Sequence, residues 1–181
     1  TAFARILFRR FLNWKETYLC CFLGYATHGL LDACTSYGTQ LWWPFSDTRV
    51  SWNNISVIDP LLTIPVIVFA VITILNKKKS ISYLGIFYIF VYLGFGFIQE
   101  DRAEAVGKSI ALMRGHESNR LTAKPSLGNL FLWKTIYEDK GFYYVDAVRL
   151  FQEKEYCEGT KIRKFNNLTD LTNLDANSQQ Y

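Results

Sequence analysis

The sequence is short of several things that would mark a soluble metal-binding or disulfide-stapled protein. It has four cysteines, Cys20, Cys21, Cys34 and Cys157. No pair of them has zinc-ribbon spacing. Three lie in or at the end of an apolar segment, where cysteine serves as a small apolar helix residue. Neither a disulfide framework nor a redox compartment follows from them. No signal peptide with its cleavage pattern is visible in these residues, and no internal repeat or low-complexity tract is evident. Net charge is missing from the second half: residues 99–181 hold twelve basic and twelve acidic residues. The formal charge of +4 belongs to residues 1–98, with eight basic against four acidic. Those basic residues flank apolar runs and do not line one polar face, which indicates a membrane and excludes nucleic acid as partner.

What is present is apolar and aromatic, 50% and 17% of the 181 residues. Position 1 is Thr, and Arg5, Arg9, Arg10 and Lys15 are interleaved with Phe3, Ile6, Leu7, Phe8, Phe11 and Leu12. That spacing reads as an amphipathic helix in the cytoplasmic interface or as the basic flank of a membrane helix. The protein is expected to continue upstream of it. Three apolar runs follow, with spans expected near residues 17–34, 60–76 and 80–98. A span needs roughly 20 apolar residues to cross a hydrocarbon core about 30 Å thick. Lys77, Lys78 and Lys79 separate the second and third runs and place that turn in the cytoplasm.

Residues 1–98 are therefore expected to form a membrane domain. Residues 99–165 are expected to form a small extramembrane α+β domain, and 166–181 a polar tail. Residues 99–116 read as an amphipathic helix stopped by Gly115. From Leu130 the period falls to two, and β-rich runs surround Glu138-Asp139-Lys140-Gly141, the signature of a β-hairpin. A further strand is expected between Tyr156 and Phe165. The fold class expected is an α-helical membrane protein with about three transmembrane helices, followed by a small α+β soluble domain.

Chemistry concentrates between His28 and Pro60. His28 and Asp32 stand one helical turn apart, about 6 Å along the axis and on one face. Imidazole and carboxylate at this spacing suit one zinc or manganese ion, or they form a packing hydrogen bond. Two ligands are too few for a catalytic ion, so further donors have to come from elsewhere. Asp59 before Pro60 is a helix N-cap, and its carboxylate would face the same side as His28. Thr35, Ser36, Tyr37, Gly38 and Thr39 form a polar turn that terminates the helix or orients ligands and substrate oxygens. Trp42, Trp43, Phe45 and Trp52 suit an interfacial aromatic belt. Arg102 binds a carboxylate or phosphate, or pairs with Glu100, Asp101 or lipid headgroups. His116 reads as an exposed loop residue, and Asn54-Ile55-Ser56 and Asn167-Leu168-Thr169 match the glycosylation triplet.

The run from His28 to Ser46, H-x-x-x-D-x-x-T-S-Y-G-T-Q-L-x-W-P-F-S, resembles the YdjM-like family. So does the I-D-P-L-x-T-x-P block from Ile58 to Pro65. These are bacterial inner-membrane proteins described as metal-dependent hydrolases, some of the LexA-regulated type. Looser matches continue through Arg102 to Ala105, Pro125 to Lys134 and Gly141 to Val145, so the likeness covers roughly residues 24–150. The resemblance implies a divalent metal on His28 and Asp32, and it maps Asp59 onto the family's Asp-Pro. The family pattern also has an earlier H-R-x-x-T-H block, which this sequence does not contain, and an Asp in many members where Asn53 stands here. The function expected is metal-assisted hydrolysis at the outer face of the inner membrane, the alternative being a non-catalytic membrane stress-response or scaffold protein. Tyr37, Asp59 and Arg102 would position a lipid-linked or envelope-derived substrate. Membrane lipids would surround a multi-pass chain whose C-terminal domain is periplasmic.

Overall fold

The computed structural model describes residues 13–151 and 155–165. The expected basic helix before residue 13 and the tail from residue 166 lie outside them. The chain divides into two compact units. One holds the positions up to Glu100 together with Lys124–Leu130; the other holds Asp101–Ala123 and the positions from Phe131.

Among the described residues, two helices and the first part of a third build the first unit. Helix α1 spans Trp14–Ala33 and opens on a capping box. The Asn13 carboxamide oxygen accepts from the Glu16 N–H at 2.9 Å, and the Glu16 carboxylate accepts from the Asn13 N–H at 2.8 Å. Helix α2 spans Pro60–Asn76 and ends where Lys77 turns left-handed at φ 52°. Helix α3 spans Lys79–Met113. Helices α2 and the start of α3 form an antiparallel hairpin: Ser82 meets Thr73, Gly85 meets Phe69, and Tyr92 meets Asp59.

The expectation of about three transmembrane helices is corrected here. Among the described residues only α3 is both long enough and apolar enough to cross a membrane, with mean hydropathy 2.0 over its apolar stretch. Helix α2 is apolar but has 17 residues, about 25 Å at 1.5 Å per residue. Helix α1 has 20 residues, but Lys15, Glu16, His28 and Asp32 interrupt its apolar character. The third run is also longer than its apolar part. Gln99, Glu100, Arg102 and Ala103 are good helix formers, so the helix passes from Ile98 into the amphipathic segment without a break. It stops in a Schellman motif, with Gly115 at φ 67°, the His116 N–H on the Ala111 carbonyl and the Gly115 N–H on that of Leu112.

The second unit packs the C-terminal part of α3 on a four-stranded sheet. Its strands are β1 (Asn119–Pro125), β2 (Leu132–Asp139), β3 (Phe142–Arg149) and β4 (Glu155–Arg163), in that order across the sheet. Strands β2 and β3 are antiparallel and joined by Lys140-Gly141, both with positive φ, the geometry of a tight two-residue hairpin turn. Strand β2 alternates, burying Trp133, Thr135, Tyr137 and Asp139. Gly107 of α3 lets the helix approach this face, since a Cβ there would lie 3.0 Å from the Thr135 methyl group. Ile110, Val106 and Ala103 complete the core on the helix side.

Candidate functional site

The site expected from the sequence lies at the C-terminal end of α1. His28 Nε2 stands 3.5 Å from Asp32 Oδ2, and their side chains are 70% and 48% exposed. That separation is longer than a good N–H···O bond. It matches the spacing of about 3.3 Å between two donors that each lie ~2.0–2.1 Å from a tetrahedral ion. The pair therefore fits two corners of a metal site. No group of three histidine, cysteine or acidic ligands occurs among the described residues.

Helix α1 ends at the polar turn. The Thr35 hydroxyl donates to the Asp32 carbonyl at 2.7 Å, which ties the backbone of the metal candidate to the turn. Tyr37 is 79% exposed. Gly38 is left-handed at φ 83° and lies against Arg49. Thr39 and Val50 exchange backbone bonds of 2.9 Å and close the base of a loop.

Asp59 is 4% exposed and fully engaged. Its Oδ1 accepts from the N–H groups of Leu61 and Leu62 at 3.1 and 3.3 Å, as an N-cap should. Its Oδ2 accepts from the Tyr92 hydroxyl at 2.8 Å. Asp59 thus ties the start of α2 to α3. His28 and Asp32 are brought together, and Tyr37 follows them on the adjoining turn. Arg102 is exposed on α3 in the other unit.

The returning strand of the loop holds residues that sequence patterns did not single out for structure. The Trp52 N–H donates to the Ala33 carbonyl at 2.7 Å, and those of Asn54 and Ile55 to the Cys34 carbonyl at 3.1 and 3.2 Å. Asn54 is fully buried, and its amide nitrogen donates to the Leu93 carbonyl of α3 at 3.3 Å. That nitrogen is the one a glycan would need, so in this fold the Asn54 triplet is a packing element. Asn167 lies outside the described residues. Gly96 lets the loop touch α3, because a Cβ there would collide with the Asn54 carbonyl. Ser56 bridges onward, donating to the Ile58 carbonyl at 3.0 Å and accepting from the Gly128 N–H at 3.1 Å. Ser36 Oγ, Asn53 Oδ1 and Asn54 Oδ1 are buried oxygens without a hydrogen-bond partner, so the loop interior is polar. Burial pushes the Cys34 thiol up, with Asn54 opposing. The glycine and the two asparagines carried some signal, since a glycine in an apolar helix often marks a close approach.

A second cluster belongs to the sheet unit. Arg114 makes a two-pronged ion pair with Asp146 at 2.7 and 2.9 Å. It also donates to the Tyr137 hydroxyl at 3.0 Å. His116 Nδ1 lies 3.0 Å from the same hydroxyl, and its ring rests 4.5 Å from that of Tyr144. His116 is half-buried and bonded, where the sequence read an exposed loop residue. Donating to the Asp146 carboxylate holds the Arg114 proton more firmly than usual. Burial pushes the Tyr137 hydroxyl up, with Arg114 opposing. Arg114 also pairs with Glu158 at 3.2 Å, and Asp146 accepts from the Gly159 N–H at 3.1 Å, so the cluster anchors the end of α3 to the sheet.

The family model described as YdjM inner membrane protein matches residues 1–103, more than half of the chain. The chain belongs to the YdjM family of inner membrane proteins. The match takes in the His28–Asp32 pair, the loop after it and the α2–α3 hairpin. No curated protein and no solved structure matches the chain. Within a YdjM family member, α3 is a helix with the length and composition to cross the membrane.

Proposed function

We propose that this YdjM family protein is a membrane-anchored, metal-dependent hydrolase in which His28 and Asp32 hold a divalent ion, zinc or manganese. The observation that supports the reading is the 3.5 Å approach of an imidazole nitrogen and a carboxylate oxygen on one exposed helical face, where an ion could replace their direct pairing. A catalytic ion takes at least three protein donors, so the rest are supplied from outside the described residues. Once bound, such an ion supplies Lewis acidity and an activated water.

The chain's own groups have supporting parts. Thr35 fixes the backbone at Asp32. Tyr37, exposed on the next turn, positions the substrate. Asp59 has both oxygens occupied, so it acts as a positioning residue that holds α2 against α3. Arg102 offers a permanent cation to a carboxylate or phosphate. Lys77, Lys78 and Lys79 support a cytoplasmic α2–α3 turn. Helix α3 then carries the chain across, with α2 beside it, and the sheet unit emerges in the periplasm. A substrate reaching this site is lipid-linked or derived from the envelope.

Metal analysis of the purified protein and of His28→Ala and Asp32→Ala tests the reading. The wild type should carry an ion that both variants lose. Equal metal content in all three would remove the ligand assignment. One observation favours a second reading, a non-catalytic membrane scaffold: the described residues offer this site a pair of ligands and no trio. That reading expects no stoichiometric metal in any of the three proteins.

A further inference from the structure

The turn after the polar loop is aromatic, uncharged and unusually exposed. Trp42, Trp43 and Phe45 are 61%, 69% and 94% exposed. They do not dangle. The Trp43 N–H donates to the Gln40 carbonyl, and those of Phe45 and Ser46 to the Trp42 carbonyl, over 2.8–3.3 Å. The Thr39–Val50 bridge closes the base beneath them. From Gly38 to Ser46 there is no charged residue; Asp47 and Arg49 follow immediately. The fold holds three large aromatic side chains outward, left uncovered by the described residues of the first unit.

Their height along α3 is fixed by the loop's own contacts within that unit. Tyr92 bonds Asp59, the Leu93 carbonyl accepts from Asn54, and Gly96 abuts the Asn54 backbone. These contacts fall just before Gln99, Glu100, Asp101 and Arg102, where the apolar stretch of α3 ends. At 1.5 Å per residue, that stretch measured from Lys79 covers about 30 Å, one hydrocarbon thickness. With the lysines at one boundary, the loop lies at the other. Tryptophan favours that layer because its ring is apolar and its N–H can still reach water or headgroups.

We propose that the turn of residues 41–46 is a membrane-interface anchor, seated in the headgroup layer of the bilayer that α3 crosses. Leu41, at the foot of the turn, lies 3.8 Å from where a Cβ on Gly29 would be, next to His28. The anchor therefore holds the His28–Asp32 pair at the lipid boundary. If the metal reading above holds, its substrate is an amphiphile whose polar part is presented from the bilayer. That clause rests on the proposed function; the seating of the turn does not.

The test uses the full chain reconstituted in phosphatidylcholine–phosphatidylglycerol vesicles. Tryptophan emission of the wild type and of the Trp42→Phe/Trp43→Phe variant is quenched with lipids brominated near the headgroup end of the acyl chain. In parallel it is quenched with aqueous iodide. The difference between the two proteins reports the turn. It should be blue-shifted, lost to shallow bromolipid and insensitive to iodide. A difference signal quenched by iodide and spared by bromolipid would put the turn in water and overturn the proposal. A signal spared by both would mean that protein covers the turn, a second copy or a partner, and would overturn it equally. Metal content plays no part in this readout, so failure of the anchor and failure of the metal site are separable.

Discussion

At the residue scale, the informative side chains are those whose polar atoms are all accounted for. Asp59 accepts from two backbone N–H groups and one hydroxyl while buried. Asp59→Ala removes an N-cap, which costs about 1–2 kcal/mol, and leaves the Tyr92 hydroxyl without its acceptor. Asp59→Asn keeps one acceptor oxygen and should retain most of the cap. Thermal unfolding in detergent should rank them wild type, Asn, then Ala. Arg114 is the counterpart in the sheet unit. Arg114→Ala leaves the carboxylate of Asp146, 2% exposed, without its cation. Removing one partner of a buried pair costs about 3–5 kcal/mol, so the sheet unit should melt far earlier than the wild type, as circular dichroism would show. A control at Lys134, an exposed cation on β2, should barely move the midpoint.

At the element scale, α3 shows that a change of residue pattern does not by itself end a helix. Its apolar and amphipathic halves have different residue patterns, and a boundary at Ile98 followed from hydropathy. Hydropathy reports solvent, whereas continuity of a helix depends on the absence of a breaker, and none stands between Ile98 and Met113 that stops it. Apolar character and length are likewise separate requirements for a span, and α1 and α2 each meet only one of the two. Glycines in α3 separate cleanly by surroundings. Gly94 has open space around it, while Gly96 faces the Asn54 backbone. Gly94→Ala should stabilise by up to ~1 kcal/mol through helix propensity. Gly96→Ala forces the loop off the helix and should cost about 1–3 kcal/mol. Opposite shifts in midpoint for two alanines two residues apart would check both. Similar shifts at both positions would contradict the close approach.

For the whole molecule, pH links the core of the sheet unit to its stability. Burial raises the Tyr137 hydroxyl above its ordinary value near 10. A group whose folded value is raised contributes stability that is complete below the unfolded value and is lost as pH climbs through the folded one. Alkaline destabilisation should therefore begin near pH 10, and Tyr137 should ionise later than an exposed tyrosine in an ultraviolet titration. Tyr137→Phe should flatten this alkaline dependence. It should also lower stability at neutral pH, because Arg114 and His116 lose their shared hydroxyl, at about 0.5–1.5 kcal/mol per bond.

What could be read in advance divides along a physical line. Local rules of chain geometry were sufficient for the Asp59-Pro60 cap, for the Gly115 stop, for the pairing of β-rich runs around Lys140-Gly141, and for the family likeness between His28 and Pro65. Each depends on residues within a turn or two of one another. The juxtaposition of His28 with Asp32 is of the same kind, since helical periodicity alone sets it. Contacts across tens of residues were out of reach: Asn54 on Leu93, Tyr92 on Asp59, Gly96 beneath the loop, and Arg114 with His116 around Tyr137. They depend on how elements pack, and no periodicity encodes a partner 39 positions away. The sequence by itself determined the membrane class, the caps and turns, and that His28 and Asp32 share a helical face. Only the tertiary structure decided that one long helix runs through both units, that Asn54 of a glycosylation triplet is buried, and that three aromatics stay uncovered by the described residues. Those outcomes depend on which surfaces the packed chain leaves open.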